Sequence, residues 1–118
     1  MEYYSKFKVK ISSEIGKIFK DIVGRGPKAI KIQIHEDVVV IRFKVYNINL
    51  FEILKEFDEE LLEQVRKIIF LSVEDKIKDI LSGFFNSDIK EVHFSFEAKH
   101  EEAVMLFIFT EDIGNLVK

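Results

Sequence analysis

The stretch Asp21-Ile-Val-Gly-Arg-Gly-Pro-Lys-Ala-Ile-Lys-Ile-Gln-Ile-His-Glu-Asp-Val-Val-Val-Ile-Arg-Phe-Lys44 decides the fold, because the hydrophobic period changes inside it. Upstream, Tyr4, Phe7, Ile11, Ile15, Ile18 and Ile22 follow at steps of three or four, the stripe of an amphipathic helix. Gly24 is placed to stop that helix, since the position past a helix end often needs the positive φ that glycine takes freely. Gly26 and Pro27 launch an extended segment. Ile30, Ile32 and Ile34 then alternate with Lys31, Gln33 and His35, which is the period of a half-buried strand. Glu36-Asp37 forms a short hairpin turn, although it lacks the usual glycine. Val38 to Val45 returns, with Val39, Ile41, Phe43 and Val45 toward the core and Val38, Val40, Arg42 and Lys44 opposite.

Further along, Asn49-Leu-Phe-Glu52 reads as a capping box at the start of a second helical region. Its expected buried stripe is Leu50, Leu54, Phe57, Leu61, Val65, Ile69, Val73, Ile77 and Ile80. So long a run predicts a break, best placed at Asp58, which caps a new helix bearing Glu59 and Glu60 near its positive end. Ser72 is a second weak point, and Gly83 is the expected stop. Val92, Phe94, Phe96 and Ala98 alternate with Glu91, His93, Ser95 and Glu97 as a third strand. A turn over Lys99–Glu102 leads to a fourth, Val104–Phe109, and the tail from Glu111 is expected to be loosely held.

The order is therefore αββ–αββ, with halves of about 1–46 and 47–118 that share a loose Lys-Asp-Ile match before each glycine. It predicts an α+β two-layer sandwich: a four-stranded antiparallel sheet with helices on one face. The 118 residues suffice for a single domain spanning 1–118 and not for two. Cysteine is absent, which removes disulfides, thiolate metal sites and thiol nucleophiles. No run approaches the roughly 18 apolar residues of a membrane span, and the start lacks a signal-peptide core. A soluble, cytoplasmic protein is expected. Many Ile, Lys and Glu with one Pro suggest a thermophilic source.

Charge is uneven: residues 1–31 hold eight basic and three acidic side chains, and the rest hold ten and eighteen. The basic segment reads first as a solvated helix face and second as a surface for an acidic partner. Gly24, Arg25, Gly26, Pro27 and Lys28 invite a phosphate-loop reading. Phosphate loops, however, precede helices, where amides and the positive dipole end meet the anion, and this loop follows one. It is read as a structural turn, with Arg25 and Lys28 as possible anion contacts. His35, His93 and His100 have no spacing that demands a metal and read as surface histidines. The carboxylates from Glu56 to Glu60 read as capping and solvated groups, and Arg66 as half of a salt bridge. No catalytic, cofactor or metal residue is assigned, and an enzyme is not expected.

The excess lies in apolar surface. A sheet covered on one face should have a polar other face, yet the second strand offers Val38 and Val40 there. The fourth offers either Met105, Phe107 and Phe109 or Val104, Leu106 and Ile108. Val38, Val40, Leu106, Phe107, Ile108 and Phe109 are thus the interface candidates, pointing to a homodimer or a docking surface.

The helix ending in Gly24-Arg-Gly-Pro27, the hairpin, the Asn49-Leu-Phe-Glu52 helix start, Arg66 and the closing hairpin together resemble the MpsC-like family of small bacterial and archaeal domains. That family usually has Thr-Pro-x-Glu where Asn49-Leu-Phe-Glu52 stands, and often a glycine near Asp58. The resemblance implies association with a Na+-translocating, membrane-potential-generating system, and hence a membrane-associated protein partner; it brings no catalytic residues. The leading expectation is a non-enzymatic interaction or accessory domain acting through an apolar oligomer or partner surface. The alternative is a small anion- or nucleic-acid-binding protein using the basic N-terminal region with Arg25 and Lys28, nucleic acid being the less favoured partner.

Overall fold

A computed structural model describes residues 2–45, 49–97 and 99–114, with side chains from residue 6 onward. The elements run α1 (Glu2–Val23), β1 (Lys28–His35), β2 (Val38–Lys44), α2 (Asn49–Phe57), α3 (Glu59–Phe85), β3 (Ile89–Glu97) and β4 (Glu102–Phe109). All strand pairs are antiparallel, and the sheet order is β1-β2-β4-β3. Each half thus contributes a hairpin, and the two second strands meet in the middle. The expected α+β sandwich is what the chain forms, with the helices packed against the sheet.

Phe7, Ile11, Ile15 and Ile18 of α1 are buried and Ile22 is half-buried, as their spacing requires; the side chain of Tyr4 lies outside the described residues. Gly24 ends α1 at φ +88°, its N–H donating to the Lys20 carbonyl at 2.9 Å. Without a glycine in the β1–β2 turn, Glu36 takes the left-handed conformation itself, at φ +56°. Ala29 does the same at φ +55°, where the register slips between Lys28 and Lys31. A second slip falls at the start of β3, between Ile89 and Glu91.

The helical break is at Asp58, whose carboxylate accepts the Leu61 N–H at 3.0 Å. Asn49, expected ahead of α2, is already within it, and residues 46–48 lie outside the described ones. Three further expectations are corrected. Neither Ser72 nor Gly83 interrupts α3, which ends instead at left-handed Asn86 (φ 50°, ψ 47°) with its N–H on the Ser82 carbonyl. Glycine in a helix costs only about 1 kcal/mol, and buried Leu81 and Phe85 anchor the turn on either side of it. The stripe over 50–69 is only partly in phase: Leu54, Val65 and Ile69 are half-buried, but Leu50, Phe57 and Leu61 are exposed, whereas Phe51, Leu62 and Phe70 are buried. The break resets the helical phase, and both sides of these helices are apolar. Finally, the tail is tied down as far as 114. Ile113 is fully buried, and the N–H groups of Ile113 and Gly114 both donate to the Glu36 carbonyl, at 3.0 and 2.9 Å.

The core lies between the sheet and α1 with α3, and phenylalanines dominate it. Phe19 meets Phe43 edge-on with centroids 5.0 Å apart, Phe85 meets Phe109 at 5.4 Å, and Phe70 lies against Phe94 at 4.9 Å. At about 1.5 Å per residue, the 27-residue α3 is roughly 40 Å long. It accounts for most of the 49 Å long axis of the molecule.

Candidate interaction surfaces

Side chains directly opposite in an antiparallel pair share a face, so the register fixes the outer surface of the sheet. Val38 faces Ile108, Val40 faces Leu106, Arg42 faces Val104 and Lys44 faces Glu102. Val38, Val40, Val104, Leu106 and Ile108 are half-buried and form an apolar stripe two strands wide. The same register pairs Val39 with Phe107 and Ile41 with Met105 on the helix side. Phe107 and Phe109, expected as interface residues, are therefore corrected to core residues, each fully buried. Val38, Val40, Leu106 and Ile108 keep their outward positions.

Polar borders flank the stripe. On β1, Gln33 lies beside Val40 and His35 beside Val38; on β3, Glu91 lies beside Ile108, His93 beside Leu106 and Ser95 beside Val104. One cross-strand row reads Lys28, Lys44, Glu102, Glu97, so the β1 side is basic and the β3 side acidic. Arg42 bridges to Glu102 at 3.0 Å within this face.

The histidines do not converge. His93 Nε2 lies 3.2 Å from Glu91 Oε2 and His100 Nδ1 lies 2.5 Å from Glu97 Oε1, while His35 sits exposed at the far end of β1. Among the described residues, no three His, Asp or Glu side chains gather as a metal site. Arg25 and Lys28 are exposed beside Gly24, at the carbonyl end of α1.

The third surface was missed by sequence reasoning. Six of the seven large hydrophobic side chains that are exposed among the described residues lie on α2 and the first half of α3. They are Leu50, Ile53 and Phe57 (82% exposed) on α2, and Leu61, Ile68 and Leu71 on α3. The signal was present as a second stripe: 50, 53 and 57 share one side of a helix, as do 61, 68 and 71. On another side of these helices a cleft of about 690 Å³ is lined by Phe51, Glu52, Glu56, Glu59, Glu63 and Arg66. Arg66 is only 15% exposed and is paired to Glu63 at 2.8 Å. Its guanidinium lies 4.9 Å from the Phe96 ring centre and 5.4 Å from that of Phe51. Its Nε is buried without a hydrogen-bond partner. The expected salt bridge is thus local, within one helical turn, and the longer-range partners are aromatic.

Fold and surfaces together define a small two-layer α+β domain with a half-buried apolar stripe on its sheet and exposed apolar side chains on its helices. Its family is shown by the match of residues 5–111 to the model described as Na+-translocating membrane potential-generating system (MpsC): the chain belongs to that family. No curated protein and no solved structure matches it. Among the described residues, no helix is long and apolar enough to cross a membrane.

Proposed function

We propose that the chain is a non-enzymatic interaction domain that pairs with a second copy of itself through the outer sheet face. In that form it serves as an accessory to the Na+-translocating, membrane-potential-generating system for which its family is named. The observation that carries the reading is the half-buried stripe Val38, Val40, Val104, Leu106 and Ile108, which lies on the side of the sheet opposite the core residues Val39, Ile41, Met105 and Phe107. Contiguous apolar surface of this kind usually marks a contact site.

The arrangement of charge favours a second copy as the occupant. A twofold axis parallel to the strands stacks β1 of one copy over β3 of the other, and β2 over β4. Val40 then meets Leu106 of the partner subunit, Lys44 meets the partner's Glu102, and Lys28 meets the partner's Glu97. Opposite charges fall together while apolar residues fill the centre, as sheet-on-sheet packing requires.

The test is light scattering with circular dichroism on the full chain. A dimer is expected for the parent protein and a folded monomer for Leu106→Lys. Lys28→Glu should weaken the dimer and Glu97→Lys, added to it, should restore it. A monomeric parent, or a dimer unaffected by Leu106→Lys, overturns the reading.

A further inference from the structure

We propose that the exposed apolar side of α2 and of the first half of α3 is a docking site for a cationic amphipathic helix of a partner protein. It is separate from the outer sheet face and does not depend on pairing there. Three observations combine. First, Leu61, Gln64, Ile68 and Leu71 follow at steps of three, four and three, the seam spacing with which one helix receives another. Second, this seam lies on the side of α3 away from its buried residues Leu62, Phe70, Val73 and Ile77, so nothing in the sandwich needs it apolar. Exposing Ile68 at 66% and Phe57 at 82% gains nothing for folding.

Third, charge selects the occupant. Over the whole of this face, from Asn49 to Leu71, the chain carries six carboxylates and three basic side chains, net −3, and the acidic ones gather around the helical break. Of the four carboxylates at the helical break, Asp58 and Glu60 stand next to Phe57 and Leu61 in sequence, while Glu56 and Glu59 line the neighbouring cleft. One of the four, Asp58, is occupied as the cap of α3; the cap does not require the other three. An apolar seam bordered by carboxylates fits a helix with apolar residues on one face and Lys or Arg beside them. The same border disfavours other occupants. Two copies meeting tip to tip would oppose −3 with −3, and an anionic bilayer would repel the face. The basic helix α1 of the same chain already spends its apolar stripe in the core.

The probe is a synthetic 18-residue helix with leucines at seam positions and lysines flanking them, labelled for fluorescence anisotropy. Its controls are the same peptide with glutamate for lysine, and vesicles of phosphatidylcholine with phosphatidylglycerol. The cationic peptide should bind, and the acidic peptide and the vesicles should not. Phe57→Ser with Ile68→Ser should weaken binding at least tenfold with circular dichroism unchanged. Glu56→Gln with Glu60→Gln should weaken it several-fold and flatten its salt dependence. Leu106→Lys, which tests the sheet face, should leave peptide binding intact. Failure of the cationic peptide to bind, equal binding by the Phe57→Ser, Ile68→Ser protein, or preference for vesicles overturns the proposal. Loss of the dimer on Phe57→Ser with retention on Leu106→Lys would also overturn it, by assigning this face to a second copy.

Discussion

The guanidinium of Arg66 lies 4.9 Å from the centre of the Phe96 ring, so a helix and an edge strand are joined by a charge resting on an aromatic face. Phe51 of α2 flanks the same group at 5.4 Å, and the side chain is largely withdrawn from water. Cation–π contacts of this kind contribute about 0.5–2 kcal/mol, and the buried aliphatic stem adds packing. Arg66→Ala is expected to lower unfolding free energy by about 1–3 kcal/mol in urea titrations. Arg66→Lys should recover less than half, because an ammonium lacks the planar group that stacks. Full recovery by lysine would show that charge alone, through Glu63, sets the effect.

Phe107 and Leu106 are neighbours in sequence and lie on opposite sides of the sheet. Phe107→Ala empties a filled core position and should cost about 3–5 kcal/mol. Leu106→Lys should cost under about 1 kcal/mol in the isolated chain and act on self-association instead. Denaturation curves on both variants, taken at low protein concentration, check the contrast.

Ala29 holds φ at +55°, a conformation that costs an L-residue about 1–2 kcal/mol. Ala29→Gly removes that cost and adds only the larger entropy of an unfolded glycine, about 0.5–1 kcal/mol. A net gain of up to about 1 kcal/mol is expected, whereas Ala29→Val should lose at least as much. Chemical denaturation resolves both changes.

Glu74 lies on α3 beside the groove containing Phe70, Phe94 and Phe96. Burial raises its pKa above the ordinary carboxylate value; Lys78 opposes that shift and Asp75 reinforces it. A raised pKa in the folded state means that Glu74 contributes stability below the ordinary carboxylate pKa, and that the contribution is lost as pH rises through the raised value. Glu74→Gln stays neutral throughout. It should therefore melt higher than the parent at neutral pH, with the advantage vanishing near about pH 3. Melts across that range test the sign, and an advantage that grows toward acid would contradict it.

The sandwich was legible because the alternation in Ile30–Ile34 and Val38–Val45 and the three-and-four spacing in α1 have one reading each. The ordering of β4 between β2 and β3 was not, since hairpin order does not say which strands meet. Nor could Val104–Phe109 be oriented, because apolar residues stand at every position. Register with Val39 and Ile41 was needed to send Phe107 inward. In α2 and the start of α3 the difficulty was similar. Hydrophobic residues occupy two sides of each helix, and one stripe drawn across Asp58 ignored the change of phase that a cap introduces. Gly83 misled for a different reason: glycine permits a helix to end without compelling it, and Leu81 and Phe85 carried the helix on to Asn86.

The two slips of register, at Lys28–Lys31 and Ile89–Glu91, sit at matching places in the two outermost strands. Each disturbs the outer edge of its strand, where a further strand would have to pair. Growth of copies into a ribbon by adding edge to edge is thereby disfavoured. Whatever association the broad apolar faces promote is steered toward a closed, countable assembly and away from an endless fibre.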